Sequence, residues 1–119
     1  MTDSEKQKLV DAGLDVDQTL QRFAANEKIY QKFLRMFLED KNYDALITAC
    51  KNKADEEMFK AAHTLKGLSA NLDMHGLHVA CSKMVELYRK NDLVASRDML
   101  CEVSQCYLKL KTAIENYLK

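Results

Sequence analysis

The stretch AAHTLKGLSANLDMHGL, residues 61–77, contains a histidine and, four residues later, a glycine within a pattern typical of a helix. A glycine inside a helix costs about 1 kcal/mol relative to alanine, so Gly67 needs a reason. His63 lies one residue, a rotation of about 100°, away from the stripe of core-type residues in this helix. That stripe advances by alternating steps of four and three: Met58, Ala62, Leu65, Ser69 and Leu72. The pattern therefore predicts a buried face and a histidine that points away from it.

The side of the helix that carries His63 holds small residues and a cation. Lys66, Gly67 and Ala70 follow His63 at three, four and seven residues, which places them beside it. Small residues leave room for another protein to come close, and the lysine offers positive charge to an anion. An exposed imidazole is substantially neutral near pH 7, and its ring nitrogen can act as a nucleophile. These residues suit transfer of a phosphoryl group, although a lone surface histidine near a solvated lysine more often has no role.

The composition indicates an all-α chain. Its 119 residues are 47% apolar, which is enough for one core, and three glycines and no proline leave few residues for tight turns. The 18 Lys and Arg balance the 18 Asp and Glu without a basic block, so we do not expect a nucleic-acid partner. No apolar run approaches about 18 residues, so we do not expect a membrane span.

The first half of the chain predicts two short helices and one long one. The first helix is expected near residues 4–12 with Gly13 as its stop signal, and the second opens at Asp15, with Gln18 placed as in a capping box. A long helix is expected from Glu27 to Asn52, and a bend or break in it would fall at residues 40–42. The apolar stripe assigned to this long helix is Ile29, Phe33, Met36, Phe37, Tyr43, Leu46, Ile47 and Cys50.

The second half predicts three further helices. Asp55 is the candidate N-cap of the helix that carries His63, which ends near LDMHG, and Asp92 is the candidate N-cap of the last helix. The intervening helix has Leu77, Ala80, Cys81, Met84, Leu87 and Tyr88 on one face. The last helix has Leu93, Leu100, Val103, Tyr107, Leu110, Ile114 and Tyr117. Amphipathic helices with short breaks predict an antiparallel four-helix bundle with short extra N-terminal helices.

We expect one domain over residues 1–119, with residues 1–13 as a cap segment and residues 14–118 as the bundle and its covering helix. The four cysteines include no C-x-x-C pair, which favours a reduced, cytoplasmic protein. His75 and His78 are three residues apart, but two histidines alone do not make a zinc site, and we expect no bound metal. They are interpreted as solvated residues of a turn and a helix start. A monomer is the default expectation.

The segment AHTLKGLSANL resembles the signature of histidine-containing phosphotransfer (HPt) domains, H-x-x-K-G followed by small residues. EKIYQKFLRMFLED resembles the first bundle helix of bacterial HPt domains, and MFKAAHTLKG and Leu77 also match the family. The resemblance covers roughly residues 14–118. It implies a four-helix bundle with an exposed histidine that accepts a phosphoryl group from the aspartyl-phosphate of one receiver domain and passes it to another.

The resemblance also implies roles for individual residues. His63 matches the phospho-acceptor, Lys66 the cation that holds the phosphoryl oxygens, and Gly67 the small residue that lets a receiver approach. Phe59, Lys60 and Ala70 are candidates for docking the partner, and a partly buried position in the bundle is an equal interpretation of Phe59. One departure is Asp73, which stands where the family often has glycine and leaves the end of the helix open.

The chain has no glycine-rich phosphate loop, so we expect no ATP binding and no enzymatic activity of its own. No cofactor is expected; magnesium would be supplied by the partner, a response-regulator receiver domain or a hybrid histidine kinase. One alternative is a helical docking module that does not relay phosphate. A histidine-dependent phosphatase or hydrolase is disfavoured, because no acid lies three or four residues from His63. The start at Met1 favours a free-standing protein, while the partners, direction of phosphate flow and output stay open.

Overall fold

The computed structural model describes residues 1–119, and eight helices account for most of them. The helices are α1 (Asp3–Asp11), α2 (Val16–Arg22), α3 (Glu27–Glu39), α4 (Asn42–Lys51), α5 (Asp55–Asn71), α6 (His75–Arg89), α7 (Leu93–Asp98) and α8 (Leu100–Tyr117). There is no strand, and the only β-type pairing is an isolated bridge between Leu14 and Met74. The predicted all-α class is confirmed, and the helices form a bundle.

Side-chain caps explain where several helices begin. The Asp15 carboxylate accepts the backbone N–H of Gln18 at the start of α2, as the sequence predicted. Asp92 accepts the N–H of Ala95 at the start of α7. Thr2 and Glu5 form a complete capping box at the start of α1, which the sequence interpretation had missed. Gly13, with a φ of 112°, ends the α1 segment in a conformation that glycine adopts without strain.

The predicted long helix is broken at Asp40, which separates α3 from α4. The Asp40 backbone is extended, and its carboxylate accepts the backbone N–H of Asn42 at 2.8 Å. This hydrogen bond between near neighbours competes with continuation of the helix. It also satisfies the backbone N–H of the first residue of α4, which has no partner within that helix. A break within residues 40–42 is therefore confirmed.

Helix α5, which carries His63, packs chiefly against its two neighbours in the chain, α4 and α6. Helix α8 packs against α6, α3 and α1, which closes the core. The molecule measures 44 × 23 × 20 Å, so its cross-section holds two helices in each direction, given a helix diameter of about 10–12 Å. The expected stripe of α5 is confirmed: Met58, Ala62, Leu65, Ser69 and Leu72 are all buried.

The stripe assigned to α3 and α4 is wrong at four positions. Ile29, Phe33, Met36 and Ile47 are 40%, 39%, 51% and 37% exposed. Phe37, Tyr43 and Leu46 are buried as predicted, and the core also takes three residues outside the predicted stripe: Tyr30 and Leu34 on α3 and Ala49 on α4. Helix α3 is apolar over a broad arc, so the packing of α2 and α8 against it selects which part of the arc is buried.

Two other predictions need correction. Asp55 is the first residue of α5, not its N-cap; the cap position is Ala54, and the Asp55 carboxylate instead bonds Arg97 of α7 at 2.7 Å. The predicted last helix is two helices, because α7 ends at Asp98 and α8 begins at Leu100. The Ser96 hydroxyl donates to the Met84 carbonyl at 2.8 Å, which ties α7 to α6.

The turn between α5 and α6 explains the aspartate at position 73. Asp73 has a φ of 53°, the left-handed conformation that glycine adopts most easily. Its buried carboxylate accepts hydrogen bonds from the Thr19 hydroxyl at 2.8 Å and from Arg22 at 2.7 Å, and Arg22 also bonds the Asn71 carbonyl. The Asp73 carbonyl accepts the N–H of Asp15. The side chain thus fastens α2 to this turn, which glycine could not do.

Candidate functional site

His63 lies on the exposed side of α5, opposite the residues that anchor this helix in the core. Ala61, Ala62 and Leu65 are buried, whereas His63, Gly67 and Ala70 are exposed. Because the core stripe fixes the rotation of α5, the imidazole points to solvent as the sequence predicted. No side chain or backbone group of the chain forms a hydrogen bond with its ring.

The fold does not require a glycine at position 67. Gly67 lies within α5, and a Cβ atom built on it would meet no heavy atom within 4 Å. An alanine could therefore occupy this position without a clash inside the protein. The free space lies one turn after His63, on the same exposed side, so the glycine widens the approach to the imidazole from outside.

Phe59 lies beside His63, with 5.8 Å between the ring centroids. Phe59 also contacts two residues of α6. Its ring stacks on that of Tyr88 with 4.6 Å between the centroids, and the guanidinium carbon of Arg89 lies 5.6 Å from the Phe59 centroid. Phe59 is half-buried and packs against the core. It is therefore a residue of the α5–α6 interface that also forms one wall beside the imidazole.

The two lysines near His63 differ in their surroundings. Lys66 is half-buried and forms no ion pair, so its charge is available to a ligand. Lys60 is exposed and its ammonium lies 3.7 Å from Glu56, a surface pair of the i, i+4 type. Exposed ion pairs of this kind contribute little to the stability of the fold, so the Lys60 ammonium can change partners readily.

The backbone of α5 next to Lys66 is held from two sides. The ring Nδ1 of His78 on α6 is 3.1 Å from the Lys66 carbonyl, and because a carbonyl can only accept, Nδ1 carries the proton of this bond. The Ser69 hydroxyl is also within 3.0 Å of the same carbonyl. His78 is half-buried, so its interpretation as a solvated residue is wrong, whereas His75 is exposed in the first turn of α6.

An apolar cleft of about 370 Å³ lies along the second half of α5. Leu68, Asn71 and Leu72 form its α5 side, and Phe33 and Met36 its α3 side. Phe23 belongs to the cleft as well and stacks on Phe33 with 5.1 Å between the ring centroids. Sequence periodicity had assigned Phe33 and Met36 to the core, so this exposed apolar surface was not predicted.

The His, Cys, Asp and Glu side chains form no group of three that could hold a metal ion. None of the helices has both the length and the apolar character needed to cross a membrane. The four cysteines are free.

The family model of the Hpt domain matches residues 29–118, which is most of the chain and extends from the first turn of α3 through α8. No curated protein and no solved structure matches the chain. Hpt domains are helical bundles that carry phosphoryl groups on a histidine in two-component phosphorelays, where they interact with receiver domains and histidine kinases. Together with the helical fold and the exposed histidine on α5, this match establishes that the chain belongs to the Hpt domain family.

Proposed function

We propose that this protein is a phosphocarrier in which His63 accepts a phosphoryl group from the aspartyl-phosphate of one receiver domain and passes it to another. The observation that carries the proposal is the exposed imidazole of His63 beside Gly67. The fold has room for a larger residue at position 67, yet the chain has a glycine there. The absence of a hydrogen bond to the ring suits a carrier, since both a receiver and the phosphoryl group need access to it.

The transfer needs no net proton from this chain. An unprotonated ring nitrogen of His63 donates its lone pair to phosphorus, and the phosphorus–oxygen bond to the receiver's aspartate breaks, so the electron pair leaves with the carboxylate. In the second transfer the carboxylate of another receiver attacks phosphorus, and the imidazole leaves with the electron pair of the nitrogen–phosphorus bond. Such transfers depend chiefly on positioning and charge stabilisation.

Lys66 and Gly67 have separate parts in this mechanism. The unpaired ammonium of Lys66 neutralises charge on the phosphoryl oxygens as the group arrives. Gly67 lets the edge of the receiver's active site close over the imidazole. Magnesium is held by the receiver, and this chain supplies no cofactor and no ATP site of its own.

The partner docks on the side of α5 that surrounds His63. Phe59, Lys60 and Ala70 are the candidates on this helix. The exposed apolar residues of α3, Phe33 and Met36, extend the surface across the cleft beside Leu68. Apolar side chains at the centre and charged ones at the rim are typical of protein interfaces. We place the protein in the cytoplasm as a monomer.

The test is transfer from a receiver charged with a small acyl phosphate, read on a phosphate-affinity gel. We expect an acid-labile, alkali-stable label on the wild type and none on His63→Ala. His75→Ala is the matched control, because it removes an exposed histidine from the neighbouring helix and should keep the label.

Each other outcome has a definite meaning. A label that persists on His63→Ala would overturn the proposal. Binding of receivers without any label would identify a docking module that does not relay phosphate. Loss of phosphate from the receiver into solution, without a labelled intermediate on this chain, would identify a phosphatase.

A further inference from the structure

His78, near the start of α6, forms a hydrogen bond with the backbone in the middle of α5. Its Nδ1 lies 3.1 Å from the carbonyl oxygen of Lys66, twelve residues earlier in the chain. The two other side chains that bond the backbone of this segment from elsewhere in the chain do so only at its end, at Asn71 and Leu72. The bond from His78 therefore fastens α5 about one turn after His63, at the lysine that the proposed function uses.

The direction of this hydrogen bond is the same in both protonation states of the ring. A carbonyl can only accept, so Nδ1 carries the proton of the neutral ring, and it also carries one in the imidazolium. The half-buried His78 therefore acts as a constant donor to α5 and not as a switch that opens with pH.

The bond falls where α5 is locally weak. The Lys66 carbonyl belongs to the peptide that joins Lys66 to Gly67, and glycine lowers the stability of a helix because it has the widest conformational range. The Ser69 hydroxyl has one proton to donate, and it lies 2.8 Å from the Leu65 carbonyl and 3.0 Å from that of Lys66. His78 thus adds a donor from another helix at the peptide that the glycine loosens.

We propose that His78 is a positioning residue for phosphoryl transfer, because it holds the Lys66–Gly67 peptide against α6. The bond thereby fixes where the Lys66 ammonium stands relative to the His63 imidazole. Phosphoryl transfer depends chiefly on positioning and charge stabilisation, so a displaced cation lowers its rate. This inference rests on the proposed function, since it assigns His78 a role at the same site.

The experiment compares two replacements of His78 that differ in one hydrogen-bond donor. The NH₂ group of an asparagine can stand where Nδ1 stands, whereas phenylalanine keeps a ring and offers no donor. We expect His78→Phe to slow transfer from a saturating, charged receiver about three- to tenfold, the effect of one lost hydrogen bond. His78→Asn should keep about half of the wild-type rate or more. His75→Phe is the matched control, because His75 is an exposed residue of the same helix, and it should leave the rate unchanged.

A double-variant cycle determines whether His78 acts through Lys66. Lys66→Met removes the ammonium, so in that background His78→Phe should slow transfer by less than about twofold. A general loss of stability does not depend on the ammonium, so it would multiply the effect of Lys66→Met instead. The free energy of unfolding of each variant is measured alongside, and the rates are compared at a temperature at which all of the variants are folded.

The outcomes separate the two proposals. A wild-type rate in His78→Phe, equal slowing in His78→Asn and His78→Phe, or effects of His78 and Lys66 that multiply would overturn the role of His78 and leave the relay intact. A wild-type protein that takes no phosphate from any receiver would overturn both, because there would be no transfer for His78 to assist.

Discussion

Gly67 is an exposed residue of helix α5, and no neighbouring atom lies within 4 Å of the place where a Cβ atom would stand. Within the chain, the only effect of the glycine is to lower the stability of the helix, because glycine loses more conformational entropy on folding than alanine does. The fold therefore gives no reason for the small size of this residue. The approach of a receiver to His63 is the reason that the proposed function supplies.

Two substitutions of Gly67 should separate stability from function. We expect Gly67→Ala to raise the free energy of unfolding by about 0.5–1 kcal/mol, as measured by chemical denaturation. Gly67→Gln should also fold well but should slow transfer from a receiver about tenfold or more, because the longer side chain occupies the approach to His63. Thr112→Gln, on the exposed side of α8 next to α1, is the control for added bulk. A Gly67→Gln protein that is destabilised would show that the fold itself needs the glycine.

The turn between α5 and α6 depends on one side chain, because the Asp73 carboxylate connects it to α2 through Thr19 and Arg22. We expect Asp73→Ala to lower the free energy of unfolding by about 2–3 kcal/mol, since it removes a buried hydrogen bond from Thr19 and a half-exposed ion pair with Arg22 and keeps an unfavourable φ. Asp73→Gly should lower the free energy of unfolding by about 1 kcal/mol less than Asp73→Ala does, because glycine adopts a φ of 53° freely. Asp44→Ala, at an exposed aspartate of α4, is the control. Equal losses for Ala and Gly would contradict this account of the turn.

Helix α3 presents two parallel apolar stripes, of which one is buried and the other is exposed. Leu34→Ala should lower the free energy of unfolding by about 2–5 kcal/mol, because the side chain is fully buried. Met36→Ala should cost less than about 1 kcal/mol, because the residue is 51% exposed. We expect the second substitution to weaken receiver binding instead, as titration calorimetry would detect. Similar losses of stability for both variants would mean that α3 is rotated relative to this description.

The molecule as a whole should lose stability in alkali. Burial raises the pKa of the Cys81 thiol to about 12, from an ordinary value of 9.0, and it also raises the pKa of the Tyr30 and Tyr107 hydroxyls. Burial together with the hydrogen bond to Glu27 raises the pKa of Tyr117 to about 12. The unfolded chain releases these protons first, so above pH 9 it binds fewer protons than the folded chain, and stability falls as the pH rises.

Chemical denaturation under reducing conditions, repeated from pH 7 upward, would test this expectation. The free energy of unfolding should decline from about pH 9 toward pH 12, the window between the ordinary and the raised pKa of Cys81. Cys81→Ala should show a shallower decline because one of these buried protons is gone. A constant free energy of unfolding through pH 10.5 would show that these groups are exposed in the folded protein.

Much of the fold followed from local chemistry. The caps at Asp15 and Asp92 and the break near Asp40 depend on residues within a few positions of one another, so they can be predicted without a structure. The turn at Asp73 is different, because Thr19 and Arg22 of α2 hold its carboxylate. Asp55 was misassigned as a cap because its carboxylate bonds Arg97, 42 residues later in the chain.

The sequence by itself determined that the chain is helical and that His63 points outward, because the stripe from Met58 to Leu72 permits only one rotation of α5. Only the tertiary structure decided which side of α3 is buried, since adjacent stripes that begin at Ile29 and Tyr30 are both apolar and the neighbouring helices select between them. It also stacked Phe59, the ring beside His63, on Tyr88 of α6. Periodicity along one helix specifies a direction, whereas the partner that a side chain meets depends on how distant helices pack.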